Sequence, residues 1–542
     1  MIRQPSAVAH LTLRSDGWLA LGFTAFGLIV RLFWVLRPRA VHWDEPDYLL
    51  LARNLLRGQG YQILGLPETH LPPIAPWLAT ASLALGTPVD LAMSLWHALA
   101  GALFCGLIFL IALDIGGHRP AALWTGLLAV VASPLVVRPL YWGSMTESLF
   151  LLWLWLGLWA VWRLLHGGSW RAGLAAGLAL ALSYLTRPEG LLWWALFAAV
   201  ALALVIGRRE FRRQVWPGLA LYLLVFLLLS GSYWLYLYRS TGQFLISGKT
   251  GITLLQAESV NKDVSVVLDS SGQEVLWLSP ERYQIGIASS VESDPLGLLK
   301  RFVANLRNLP GAVLGALVPV HLLVLIGLGL WAQPWGRKQL VEQAFWLACL
   351  LPLAIVPLTH LLPRLLVPLL PVALVWAGQG VQRLVEWGRG AAWPWPRLSG
   401  QMPRLLAWLW PLLLALFLVA LAANSQIDDE RAGQATITPG HKQAGLWLAA
   451  NSRPDQAIMT RNSEIALYAD RPLAPLPNAE LDQVLDYARR HKAGFLAIDD
   501  IELRLLRPQF AHIAEPGQTP PQLEQAAVFP GPMRTTYIFR FH

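Results

Sequence analysis

Apolar runs of membrane length recur along this chain, and no other feature constrains its fold as tightly. A helix needs about 20 predominantly apolar residues to cross a bilayer, since each residue adds about 1.5 Å of rise. Eleven runs read as spans: 18–37, 90–113, 119–137, 147–165, 172–186, 190–207, 215–237, 311–332, 340–360, 364–386 and 404–423, of which 172–186 is short. Composition agrees, with 55% hydrophobic residues, 27 Trp and only 14% charged residues. Soluble domains carry about 25% charged residues. The expectation is a polytopic α-helical membrane protein with about eleven transmembrane helices. No small-residue cleavage site follows the first run, which predicts an uncleaved anchor.

The formal net charge of +9 does not point to nucleic acid, because the basic residues lie in short groups between the apolar runs. Such groups encode topology. Cytoplasmic placement of Arg3 and Arg14 also puts Arg163, Arg171, Arg208, Arg209, Arg212, Arg213, Arg337, Lys338, Arg389, Arg397 and Arg404 inside. The loops 38–89 and 238–310, the short loop 138–146, the turn 187–190, the corner 361–363 and everything after 424 then lie outside. The two cysteines, Cys105 and Cys349, fall within apolar runs, so neither a disulfide framework nor a thiolate metal site is expected.

Two further apolar stretches are not spans. Pro73 to Gly86 is too short and is expected to lie in the interface or re-enter. Asp294 to Leu309 places Leu296, Leu299, Phe302, Val303 and Leu306 on one helical face beside Lys300, Arg301 and Arg307. That is an interfacial pattern, serving either as a loop anchor or as a contact to lipid phosphate. The chain therefore divides into a membrane domain, 1–424, and a soluble extracytoplasmic α/β module, 425–542. In the module, helical spacing covers 441–451 and 479–492, and short strands are expected at 456–460, 495–499 and 535–541. It contains no phosphate loop, metal-ligand cluster or nucleophile elbow, so a lid or scaffold is the favoured reading.

Chemistry-bearing residues gather on the outer face. Asp44 and Glu45, between Trp43 and Pro46, follow the first span closely. Partial desolvation there raises carboxyl pKa values and suits a proton acceptor. Tyr48, just beyond, is either part of the site or an interfacial aromatic. Glu147 opens the fourth span, where a carboxylate is favoured by the helix dipole and is also placed to share the site. Arg187 and Glu189 follow the fifth span, and His360 and Arg364 flank the corner between the ninth and tenth. Arginines at a membrane edge are often anchors, but two converging on acids would grip a phosphate through their forked donors. Arg53, Arg57, His70 and Lys249 are further candidates. No residue forms a specific motif alone; the shared face is the argument.

These segments resemble the GT-C superfamily of membrane glycosyltransferases, in particular the bacterial relatives of protein O-mannosyltransferases and lipid A aminoarabinose transferases. The likeness rests on His42-Trp43-Asp44-Glu45-Pro46-Asp47-Tyr48 with Ala52 to Tyr61, and on Ser144 to Phe150. It also rests on Thr186-Arg187-Pro188-Glu189-Gly190 and on Pro363-Arg364 before a Pro-rich span. The resemblance implies transfer of one sugar, with inversion, from a polyprenyl-phosphate donor to a protein or glycolipid acceptor on the outer face of a bacterial inner membrane. It implies Asp44 as general base, Glu45 and Glu147 as acids that position the acceptor or stabilise positive charge, and Arg187 and Arg364 on the leaving phosphate. Some relatives carry lysine where this chain has Arg187. The Trp-Trp-Asp-Tyr-Gly signature of oligosaccharyltransferases is absent.

The lipid bilayer and the lipid-linked donor are the expected partners, with no nucleic acid. No cofactor follows from the sequence: a divalent metal is compatible, yet no ligand cluster is evident. The main rival is a transporter or flippase without covalent chemistry. Transporters gather ionisable groups near the bilayer midplane, whereas here Arg31 is one of few charges within a span. An O-antigen ligase or polymerase would favour a dominant Arg/His-rich loop, and 238–310 contains no histidine.

Overall fold

The computed structural model describes residues 13–63, 65–143, 145–207, 209–249, 292, 294–331, 335–359, 361–390, 402–477, 479–515, 517–531 and 534–542. Its membrane part is built from α1 (Leu13–Val35), α2 (Glu45–Leu56), a small hairpin of β1 (Gln62–Ile63) and β2 (Leu66–Pro67), α3 (Ile74–Ala84), α4 (Val89–Ala92) and α5 (Ser94–Gly116). There follow α6 (Arg119–Val131), α7 (Ser133–Val136), α8 (Glu147–Gly167), α9 (Trp170–Thr186), α10 (Gly190–Gly207) and α11 (Arg209–Thr241). Then come α12 (Pro295–Ala316), α13 (Val320–Trp331), α14 (Arg337–Leu350), α15 (Leu370–Gly390) and α16 (Met402–Thr436). Among the described residues eight helices are long and apolar enough to cross a membrane, or nine if the bent pair α12–α13 counts as one span.

All eleven predicted runs contain helix, but not as eleven uninterrupted spans. The expected span 119–137 stops at Val131, because Ala132 turns extended ahead of Ser133-Pro134. Proline disfavours helix at the residue before it and removes a donor. The expected span 311–332 is instead the end of α12, a bend of 102°, and the twelve-residue α13. The interfacial segment extends further than its sequence pattern suggests, to Ala316, with Leu296, Leu299 and Leu306 exposed on a helix that buries none of its residues. That is the behaviour of a helix whose apolar face waits for lipid. The runs at 340–360 and 364–386 begin or end in 3-10 turns, Leu351–Leu358 and Pro363–Leu369, where Pro352, Pro357, Pro363 and Pro368 interrupt the α pattern. Pro73 to Gly86 yields only α3, eleven residues long.

Close helix approach relies on small residues, as expected where lipid supplies no hydrophobic drive between helices. A Cβ on Gly380 of α15 would sit 1.8 Å from the Leu325 carbonyl of α13.

The sequence boundary at 424 falls inside α16, which runs on to Thr436 and carries the chain without interruption into the module. The module comprises α17 (Pro439–Asn451), β3 (Ala457–Met459), α18 (Ser463–Ala469), β4 (Leu473–Ala474), α19 (Leu481–Arg490), β5 (Ala493–Asp499), β6 (Leu523–Phe529) and β7 (Thr536–Phe541). Its five strands lie in the order β4-β3-β5-β7-β6, with β4, β3 and β5 parallel and β7 antiparallel to both of its neighbours. The three expected strands are present. The edge strands β4 and β6 carry no comparable apolar signal: β4 is two residues long, and β6 includes Glu524 and Gln525.

The module is seated on the first loop. Leu467 of α18 joins a buried cluster with Val41, Leu49 and Leu51. Around it, Asp470 takes ion pairs from Arg53 (2.9 Å) and Arg57 (2.7 Å), Lys442 pairs with Asp90, and the Tyr468 hydroxyl donates to Asp90. The Val41 amide donates to the Tyr468 oxygen (2.7 Å).

Candidate active site

Two helix N-termini bring acids to the same rim. Asp44 occupies the N-cap of α2 but makes no side-chain cap, and Glu147 is the first residue of α8. The residue before each, Trp43 and the nearby Met145, adopts a left-handed backbone with φ of 56° in both cases. Such conformations cost a non-glycine residue roughly 1–3 kcal/mol and persist only where packing enforces them. Here the two loops interlock: a Cβ on Gly143, itself at φ +89°, would lie 2.3 Å from the Trp43 Cβ. Only glycine permits that approach.

The Asp44 carboxylate faces Arg364 instead of its own helix. Arg364 Nη1 donates to Asp44 Oδ2 (3.0 Å) and to the Trp142 carbonyl (2.9 Å). Arg364 thus joins the first loop, the second loop and the Pro363–Leu369 turn. Asp44 keeps 40% of its side chain accessible. Burial works to raise its pKa, but Arg364, Lys249 and His70 prevail and hold the carboxyl below its ordinary value.

A second charged group lies alongside. Arg187, at the end of α9, donates to Glu147 (3.1 Å) and to Glu189 (3.2 Å) and sits over the Phe150 ring. The turn Pro188-Glu189-Gly190 folds back tightly enough to return both Arg187 and Glu189 to this site. Burial opposes ionisation of Glu189, and the charges of Arg187 and Lys249 lower its pKa nonetheless. Lys249 belongs to both groups. Its pKa is lowered, first by burial, while Asp44 and Glu189 favour its charge and Arg364 and Arg187 oppose it. Gly248 lies against Thr69, where an added Cβ would sit 2.3 Å from the Thr69 carbonyl oxygen, so the next residues, Lys249 and His70, arrive together. Tyr48, one turn along α2 from Asp44, is buried in the same field: burial raises its pKa, with Asp44, Arg187, Glu147 and Arg364 acting on its hydroxyl.

The structure therefore assembles Asp44, Tyr48, His70, Glu147, Arg187, Glu189, Lys249 and Arg364. It separates three sequence candidates from them: Glu45, Arg53 and Arg57, the last paired with Asp470 of the module (2.7 Å). Glu45 is fully buried on another face of α2 and is forked by Arg39 at 2.6 and 2.8 Å, so it cannot meet an acceptor. Arg53 donates to the Leu467 carbonyl (2.9 Å) and pairs with Asp470, which makes it a docking residue for the module. His360 lies outside the described residues.

Sequence reasoning gave little weight to Asp47, and passed over Glu68. Asp47 bonds to Ser463 of the module, and burial, aided by Asp44, Glu68 and Glu464, pushes its pKa up to about 7. Glu68 accepts the amides of His70 and Leu71 and so shapes the loop that presents His70. An acid in a polar loop carries no signal of either role. Among the described residues no group of three His, Cys, Asp or Glu side chains is arranged to hold a metal ion.

Three cations interleaved with three carboxylates at a membrane rim suit an anionic, phosphate-bearing ligand beside a hydroxyl that must lose a proton. The sequence profile of the dolichyl-phosphate-mannose-protein mannosyltransferases matches residues 70–234. No curated protein sequence matches the chain. Among solved structures, ArnT from Cupriavidus metallidurans bound to undecaprenyl phosphate is similar over 97% of this chain and 98% of that one, with a TM-score of 0.60 and 15% identity. The oligosaccharyltransferase AglB from Archaeoglobus fulgidus, in complex with an inhibitory peptide and a dolichol-phosphate, is similar over 94% of this chain and 72% of that one, with a TM-score of 0.54 and 13% identity. At such identities the likeness is one of fold.

Proposed function

From the GT-C fold of membrane glycosyltransferases, which this chain carries, we propose that it moves a single sugar from a polyprenyl-phosphate donor to a protein or glycolipid acceptor, with inversion, on the extracytoplasmic face of a bacterial inner membrane. The observation that carries this reading is the Asp44–Arg364 pair, open on one side and flanked by Arg187, Glu147 and Lys249. The solved relatives described with undecaprenyl phosphate and with a dolichol-phosphate and a peptide support the donor and the acceptor classes. The basic loops that the positive-inside rule assigns to the cytoplasm support the orientation.

In this mechanism the acceptor hydroxyl binds against Asp44, which is ionised at neutral pH and accepts its proton. The acceptor oxygen attacks the anomeric carbon from the face opposite the phosphate, and the bond from that carbon to the phosphate oxygen breaks. Polyprenyl phosphate leaves with the bonding electron pair. Among the described residues all hydrogen bonds of Arg364 pass through Nη1, so Nη2 and Nε serve the departing phosphate together with Arg187 and Lys249. Competition for Arg364 by the donor phosphate weakens its hold on Asp44, so the base strengthens once the donor is in place. Glu147 and Glu189 orient Arg187, and Glu147 takes the role of stabilising positive charge that develops on the sugar.

The test is Asp44→Asn, which is nearly isosteric and removes the proton acceptor. Transfer from a purified polyprenyl-phosphate sugar should fall by about 10² or more, since general-base catalysis supplies roughly 10²–10⁴. Binding of undecaprenyl phosphate should survive. Transfer near the wild-type rate would remove Asp44 from the mechanism. Mass spectrometry of lipid-linked sugars that accumulate on deletion identifies the donor.

A further inference from the structure

The helix α12 lies across the neighbouring spans and not along them. α13 packs along α15, which belongs to a membrane-length run, and the 102° bend between α12 and α13 turns α12 close to perpendicular to that direction. An amphipathic helix so placed lies in the interface, between headgroups and acyl chains. Its residues suit that setting. Leu296, Leu299, Val303, Leu306 and Leu314 are all exposed, and at 100° per residue they form one stripe about 80° wide. Lys300 and Arg307 stand along one edge of the stripe, seven residues or about 10 Å apart. Both are exposed, and among the described residues neither forms an ion pair or a hydrogen bond. α12 contains no acid, and Asp294, just before it, is occupied in accepting the Gly297 amide (2.8 Å). Unpaired cations beside a bare apolar stripe complement an anionic phospholipid, phosphate to cation and acyl chain to leucine.

The other face of α12 holds the corner that presents Arg364. Asn305 donates to the carbonyls of Pro357 (2.9 Å) and Thr359 (2.8 Å), and α12 packs against both the Leu351–Leu358 and the Pro363–Leu369 turns. These carbonyls end a 3-10 turn that prolines interrupt, so a side chain meets a need the local backbone leaves open. Thr359 stands five residues before Arg364. Arg301 turns toward this packed side. Lys300 and Arg307 lie about 140° and 160° around the helix from Asn305, so they face away from the corner and from any phosphate bound there.

We propose that α12 is a docking surface for the anionic phospholipid headgroups of the leaflet at which the active site opens, and that Asn305 carries its seating to the Arg364 corner. The docking itself needs nothing from the transfer reaction; the coupling rests on that reading for the role of Arg364. Anionic headgroups draw Lys300 and Arg307 to the surface, and the stripe settles beside the acyl chains. The corner then loses freedom through Asn305. The charge of the surrounding leaflet thereby becomes a control on sugar transfer.

Hydrogen exchange of the full chain in phosphatidylcholine nanodiscs, with and without phosphatidylglycerol, tests this. Amides of α12 and of 351–369 should exchange at least about tenfold more slowly with phosphatidylglycerol present, and added salt should reverse much of that gain. The double variant Lys300→Gln/Arg307→Gln should match the wild type in neutral discs and show little of the gain in anionic ones. Asn305→Ala should keep the gain on α12 and lose it over 351–369. Equal exchange in the two lipids, or the full gain in the double variant, overturns the docking surface. Inorganic phosphate that gives the same protection in neutral discs overturns it too, since the cations would then bind a free anion. A corner that gains nothing in the wild type, or as much in Asn305→Ala, overturns the coupling. None of these measurements depends on turnover, so a protein that transfers no sugar would refute the proposed reaction while the docking surface stands or falls on its own result.

Discussion

Helical geometry turns successive residues by about 100°, and at the start of α2 this rotation divides two adjacent acids. Asp44 faces Arg364 and the open site, while Glu45 turns inward to Arg39, with both side chains of that pair at 5% exposure or less. The family resemblance gives Asp44 the base and Glu45 a positioning role in one site, but an acid pair after a span carries no record of which face each will take. Arg39 stands only six residues before Glu45, yet pairing is decided by the loop that brings it round. The consequence is testable. Glu45→Gln leaves a buried guanidinium without its counter-charge, and breaking such a pair costs about 3–5 kcal/mol. Thermal unfolding in detergent should drop sharply, while turnover per folded molecule stays near wild type. Lost turnover at unchanged stability would return Glu45 to the reaction.

At the scale of elements, the apolar helices were legible because hydropathy alone marks them, and the bends that divide them were not. The third run reads as one helix over 119–137, yet Ser133-Pro134 stops it and frees carbonyls in a setting with little water to receive them. Other helices meet that need. Gln426 of α16 donates to the Val131 carbonyl (2.6 Å) and accepts the Trp34 indole N–H (2.7 Å). Arg31 of α1 reaches the carbonyls of Ala129 (3.4 Å) and Leu135 (3.3 Å). Arg31, one of the few charges within a span, therefore caps a broken helix. Proline signalled the break, but its partners, nearly 300 residues away in one case, could not be read from the chain. Gln426→Leu should leave two buried polar groups unpaired, at about 1–3 kcal/mol each. A lowered unfolding temperature in micelles is expected, and an unchanged one would mean that the carbonyl finds water.

Across the whole molecule, α18 joins the module to the first loop, which carries Asp44. Its outer face carries Leu467, Tyr468 and the adjoining Asp470 onto the first loop, and its inner face is fixed through Glu464. His441 of α17 bridges Glu464 (2.7 Å) and Asp499 of β5 (3.3 Å), and the Asp499 carboxylate also pairs with Arg534 (3.2 Å) and accepts the Glu502 amide (2.8 Å). The sequence offered His441 as an ordinary helix residue, since its partners lie 23 and 58 positions away. Burial lowers the His441 pKa, but the two carboxylates outweigh it and raise the pKa to about 9. A folded pKa above the unfolded value of about 6.5 means that this stabilisation is complete below pH 6.5 and is lost as pH rises through about 9. Resistance of the module to proteolysis in micelles should therefore decline from pH 6.5 to 9.5, and sugar transfer should decline with it as α18 loosens its hold on α2. His441→Gln cannot gain the charge, so its resistance should be lower at pH 6.5 and should lack that decline. A variant that keeps the wild-type slope would place the titration elsewhere and would detach the module from control of the site.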